Sequence, residues 1–211
     1  MLIGIPIFEG LTALDAVGPY EVLSRIPDAT VIFVATSVGM KRTDQGSLGL
    51  YADADVAEVP HCDVILVPGG PGVEEAAQDE RLLAWVRAVD KTSVWTTSVC
   101  TGALVLGAAG LLRGRRATTH WLSVERLAGL GAVWDASRVV TDGKYMTAAG
   151  VSAGIDMALT LAAHLAGETV AQAIQLSIEY DPQPPFQAGN STDAPPGIVD
   201  LVRQVARSTR P

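Results

Sequence analysis

Cys100 stands at the junction of two patterns. The apolar run 94–99 leads straight into it, and Thr101-Gly102 then opens an apolar, helix-like stretch over 103–112. A strand running directly into a helix turns sharply. The turn lifts its side chain to the carboxyl edge of a sheet and aims backbone N–H groups and the positive end of a helix dipole at it. A helix N-terminus lowers a thiol pKa, so a thiolate is expected here, and its chemistry is nucleophilic attack on an electrophilic carbon. Free cysteine is more often a small buried hydrophobe. What separates Cys100 from that role is the strand-end position, where open α/β sheets bind their ligands. Cys62, in Pro60-His61-Cys62-Asp63, precedes a strand and reads as structural.

Two other segments supply partners for such a sulfur. The apolar run 64–67 ends in Pro68-Gly69-Gly70-Pro71-Gly72, where backbone without side chains can approach a ligand closely. This stretch lacks the spacing of a dinucleotide loop and the Lys-Ser/Thr of a phosphate loop. Its expected contribution is the Gly70 N–H, which with that of Thr101 would hold a developing negative charge. Asp15, flanked by Leu14, Ala16 and Val17, is either a helix-start carboxylate serving backbone N–H groups or a desolvated acid facing a pocket. Desolvation raises a carboxyl pKa towards neutrality, which suits proton transfer, and Asp15 is assigned as general acid/base. His120 could pair with Cys100, but a helix-start histidine with local hydrogen bonds is the simpler expectation. His164, on an apolar helix, is expected in the core.

The elements that must position these residues alternate. Strands are expected over 2–8, 30–35, 64–67, 94–99, 132–140 and 144–147, with a polar hairpin over 41–54 turning at Gly46 and Gly49. Helices are expected over 13–25, interrupted near Gly18-Pro19, and over 80–89, 103–112 and 121–130. Two more follow, one from a Ser152 cap to about 165 and one over 168–179; after a Pro-rich irregular segment, 181–196, comes a last amphipathic helix over 197–207. This alternation predicts an α/β fold: a doubly wound, mostly parallel sheet sandwiched by helices, in one domain over 1–211.

Composition narrows the function. The net charge of −8 argues against a nucleic-acid surface, and the basic cluster Arg113, Arg115 and Arg116 reads as a helix end. No apolar run reaches the ~20 residues of a membrane span, and residues 1–8 read as a buried strand, not a signal peptide, so a cytoplasmic protein is expected. Two cysteines and three scattered histidines, His61, His120 and His164, offer no disulfide framework and no metal set. No cofactor is expected.

With these motifs in hand, the chain resembles the ThiJ/PfpI superfamily, relatives of class I glutamine amidotransferases, from residue 1 to about 186. Five stretches look most like isonitrile hydratases: Leu14-Asp15 through Gly18-Pro19, Cys100-Thr101-Gly102, Arg116-Ala117-Thr118-Thr119-His120-Trp121, Ala153-Gly154-Ile155-Asp156, and Glu179-Tyr180-Asp181-Pro182-Gln183-Pro184-Pro185-Phe186. The resemblance implies a flavodoxin-like fold, a homodimer, and attack of Cys100 on an isonitrile, with Asp15 moving the proton and a formamide as product. It also implies that the Thr101 hydroxyl holds the acid and that the turn Gly150-Val151 directs the Val151 N–H at the sulfur. Departures take weight from neighbouring activities. Protease-like members carry His where Thr101 stands, members with chaperone or deglycase activity usually carry Glu where Asp15 stands, and regulators of the arabinose-operon type append a helix-turn-helix for which the fifteen residues after Pro196 are too few. A redox or small-ligand sensor built on Cys100, and a glyoxalase or deglycase, stay open as alternatives.

Overall fold

The apolar N-terminal run forms β1 (Leu2–Pro6), followed by α1 (Ala13–Leu23), β2 (Thr30–Ala35), the hairpin β3 (Gly39–Arg42) and β4 (Gly49–Ala52), and β5 (Ala54–Asp55). Next come β6 (Val64–Val67), α2 (Val73–Ala76), α3 (Glu80–Asp90), β7 (Trp95–Val99) and α4 (Gly102–Ala108). Then follow β8 (Arg116–Ala117), α5 (Val124–Gly129), β9 (Val133–Trp134), β10 (Val139–Asp142), β11 (Tyr145–Ala148), α6 (Ala153–Ala166), α7 (Glu168–Ser177) and α8 (Pro196–Ser208). This computed structural model describes residues 1–208; the last three residues of the expected domain lie outside the described ones.

Residues Met1–Ile178 form one compact unit. Its seven-stranded sheet runs β10-β11-β7-β6-β1-β2-β5, and every pair is parallel except β10 with β11. The chain winds outward from β1 through β2 to β5, then returns to the other side of β1 with β6, so the order reverses between β1 and β6. At such a switch point loops diverge and leave a crevice at the strands' carboxyl ends. Burial on both faces explains the unbroken apolar β6, Val64-Ile65-Leu66-Val67, in which all four residues are buried. One face carries α1, α6 and α7 over Ile3, Ile5, Met146 and Leu161; the other carries α3, α4 and α5 over Ile65, Val67, Leu104 and Leu127. The doubly wound, mostly parallel sheet between helices is the expected fold.

The second unit begins at Glu179. Its turns include a loop closed by Asp193 and Ala194 N–H donating to the Asn190 carbonyl, and Ile198, Leu201, Val202 and Val205 recur at helical spacing along α8. Among the described residues, no helix is long and apolar enough to cross a membrane.

Several boundaries depart from sequence expectation for identifiable reasons. α1 is not interrupted: Pro19 lies inside it, where the missing N–H costs one helical bond while the helix stays packed on α6. α4 stops at Ala108, not 112, because Gly110 at φ +82° lets the Leu111 N–H reach the Leu106 carbonyl at 3.0 Å and close the helix end. The basic cluster is therefore not a helix end; Arg116 pairs with Asp135 at 3.2 Å and Arg115 lies over the Tyr145 ring. The strand expected over 132–140 is broken by a turn in which the Asp135 carboxylate accepts the Ser137 N–H at 2.9 Å. Gly49 lies in a strand, not at a turn, and Ser152 precedes α6 without a capping bond.

Gly102, the first residue of α4, sits against the end of β6. A Cβ there would lie 2.1 Å from the Val67 carbonyl oxygen and 2.8 Å from that of Pro68, both backbone atoms that cannot step aside. Gly102→Ala is therefore expected to lower stability by about 3 kcal/mol, read as a lower urea midpoint at unchanged slope.

Candidate active site

Four neighbouring strands deliver the site in sheet order. β1 leads through residues 7–12 to α1 and Asp15, β6 to Gly69-Gly70, β7 to Cys100, and β11 to Gly150-Val151. The first two loops are joined by Thr12 N–H donating to the Gly69 carbonyl at 2.9 Å and Gly72 N–H to the Gly10 carbonyl at 3.0 Å. That pairing brings Asp15 under Gly69, whose N–H donates to Asp15 Oδ2 at 2.9 Å.

Cys100 adopts φ +56°, a left-handed conformation that non-glycine residues seldom hold and that marks strained functional turns. Its N–H donates to the Ala148 carbonyl at 3.0 Å and its own carbonyl accepts the Thr119 hydroxyl at 2.9 Å. The side chain is only 5% exposed. Burial and the Asp15 carboxyl push its thiol pKa upward, against the pull of hydrogen bonds from the Thr101 N–H and hydroxyl. Where a thiolate was expected, burial beside an acid favours the protonated thiol in the resting site.

Asp15 resolves in the direction of a buried acid. It is fully buried and serves no N–H of its own helix; burial raises its carboxyl from 3.8 to about 7, against the Gly69 N–H and the Cys100 thiol, which favour the carboxylate. Its Oδ1 is buried and has no hydrogen-bonding partner among the described residues. The arrangement holds a neutral thiol next to a carboxyl that titrates near neutrality, so one proton can pass from sulfur to oxygen and onward.

Three expected backbone and hydroxyl roles are not met as placed. The Thr101 hydroxyl does not hold the acid: it accepts the Gly70 N–H at 2.9 Å and faces the Gly70 carbonyl at 3.3 Å, while Gly69 holds Asp15. The Gly70 N–H is consequently engaged, and Thr101 N–H is the backbone donor that faces the sulfur. Val151 lies in the turn before α6, and among the described residues no hydrogen bond joins it to Cys100.

His120 behaves as a helix-start residue. Its Nδ1 accepts the Leu122 N–H at 3.4 Å, and burial lowers its pKa, which leaves it neutral. His164 is not in the core: it is exposed and packs its ring on Trp95 at 5.1 Å. Cys62 is buried among the α3-side core residues, its thiol pushed up to about 11 by burial, as a structural cysteine should be. No group of three or more His, Cys, Asp or Glu able to hold a metal stands among the described residues. A separate cleft of about 230 Å³ opens at the ends of β1 and β2, lined by Phe8, Glu9, Ser37, Lys41 and Glu75, and includes neither Cys100 nor Asp15.

Comparison with known proteins places this geometry. The model of the DJ-1/PfpI family matches residues 1–164. The chain belongs to the DJ-1/PfpI family. Over 204 residues it is 45% identical to the isonitrile hydratase of Pseudomonas putida, covering 97% of this chain and 89% of that protein. A ThiJ/PfpI family protein from Pseudomonas syringae has a similar structure, with a TM-score of 0.95 at 37% identity over 98% of this chain and 86% of that one. DJ-1beta of Drosophila melanogaster, at 20% identity and a TM-score of 0.78 over 86% of this chain and 98% of that one, shares the fold.

Within this DJ-1/PfpI chain, sequence reasoning missed two groups that hold the site together. Gly69, not Gly70, supplies the N–H on Asp15, and Thr119, beside the histidine that drew attention, binds the nucleophile's carbonyl. The Thr-Thr-His-Trp motif was the available signal, with its hydroxyls rather than its imidazole as the working part.

Proposed function

We propose that this protein is an isonitrile hydratase, converting an isonitrile and water to an N-substituted formamide. The match at 45% identity over 97% of the chain to the Pseudomonas putida enzyme carries this reading. The site supports it. Cys100 is only 5% exposed, and a slender terminal carbon suits a sulfur with so little open surface. The protein is further proposed to be cytoplasmic and, as the superfamily resemblance implies, to act as a homodimer.

Asp15 as carboxylate takes the Cys100 proton while sulfur bonds to the terminal carbon; the new carboxylic acid returns that proton to the same carbon, giving a thioimidate. The carboxylate then takes a proton from water as the water oxygen adds to the carbon, and passes that proton to the nitrogen. Collapse of the tetrahedral adduct breaks the C–S bond, returns a proton to sulfur and leaves the formamide. Thr101 N–H faces the sulfur throughout and stabilises charge there as it leaves.

The test is purified protein with a simple aryl isonitrile, following formamide appearance. Because the reactive form needs Asp15 ionised and the thiol still carrying its proton, kcat/KM is expected to rise about tenfold per pH unit up to about pH 7, then level off. No turnover with several aryl and alkyl isonitriles, in protein whose Cys100 is reduced, would overturn the proposal in favour of sensing or carbonyl detoxification. A flat profile through neutrality would remove Asp15 from it.

A further inference from the structure

We propose that Thr119 is a positioning residue for the nucleophile: its buried hydroxyl orients and polarises the Cys100–Thr101 peptide so that the N–H at the far end of that peptide faces the sulfur. Thr119 is 2% exposed and donates to the Cys100 carbonyl at 2.9 Å. That carbonyl and the Thr101 N–H belong to one planar unit, so fixing the oxygen fixes the N–H. A hydrogen bond accepted at the oxygen also draws electron density through the amide and strengthens its N–H as a donor.

The surroundings make the contact rigid. Thr118 N–H donates to Thr147 Oγ1 at 2.8 Å, anchoring the segment to β11, and the next residue of that strand, Ala148, accepts the Cys100 N–H. The strained φ of +56° at Cys100 is thus held from both sides, by Ala148 through its N–H and by Thr119 through its carbonyl. Removing the hydroxyl would leave a buried carbonyl unpaired and the peptide free to rotate away from the sulfur.

The inference rests on Cys100 being the nucleophile of the proposed function and not on the isonitrile, so it is tested without one. Full-length protein is alkylated with iodoacetamide across neutral to alkaline pH, with peptide mapping to separate Cys100 from Cys62. Thr119→Val is expected to alkylate at Cys100 on the order of tenfold more slowly, with its pH profile displaced upward, and Thr119→Ser to restore both. An unchanged rate and profile in a Val variant that is merely less stable would overturn the proposal, as would failure of Ser to rescue. If the Val variant does not fold, Thr119→Ala is read the same way. Unfolding of both would show that the contact holds the fold and does not tune the thiol, which also overturns it.

Discussion

Cys100→Ala protein is expected to form no formamide above background, a loss on the order of 10⁴-fold or more, the scale seen when a covalent nucleophile is removed. The sulfur makes the only bond between protein and substrate carbon in the proposed chemistry, and Asp15, a buried proton carrier, cannot substitute. The fold should survive. The elbow's anchors are backbone groups, the Cys100 N–H on Ala148 and its carbonyl on Thr119, and alanine keeps both. The measurement is product formation by chromatography alongside a thermal melt. Cys62→Ala serves as control, since Cys62 lies in the core on the α3 side and should leave turnover intact. Turnover retained in Cys100→Ala would end the covalent mechanism.

Asp15→Asn is expected to be inactive and yet more stable than the native protein above neutrality. The carboxyl titrates at about 7 when folded and at 3.8 when exposed, so between those values the folded state keeps a proton that the unfolded state has released. Stability therefore falls as pH rises through that window. The full cost is present above about pH 7 and absent below 3.8, and the interval of about 3 units sets a ceiling of about 4 kcal/mol. Asparagine keeps an oxygen for the Gly69 N–H and cannot ionise, so it escapes the cost. Urea midpoints measured above pH 7 and near pH 4 should show a gain that vanishes at the acid end, and formamide formation should drop by about 10³-fold. A variant less stable than the native protein above pH 7 would show that the carboxyl is not held against its own ionisation.

Much of the site was legible because it is local. A strand running into Cys-Thr-Gly and a helix could only make a sharp elbow, and the structure shows that elbow with Cys100 at φ +56°. Asp15 could be named as a candidate from its apolar flanks, but which of its two roles it plays depended on Gly69, 54 residues away, meeting its Oδ2. The same holds for Thr119, whose contact with the Cys100 carbonyl is made only once β11 has gathered the two segments. Where local signals competed, packing decided: Pro19 did not end α1, whereas Gly110 did end α4.

Strand and helix order, the parallel sheet and the placing of a thiol at its carboxyl edge followed from residue pattern alone, because hydrophobic period and turn chemistry act over neighbouring residues. The protonation of that thiol did not. The pattern around Cys100 predicted a thiolate from backbone N–H groups and a helix dipole, whereas burial of Cys100 and Asp15 together, brought from the end of β7 and from α1, raises both groups. Desolvation and the charge of a neighbour are properties of the packed interior, and only the tertiary structure sets them.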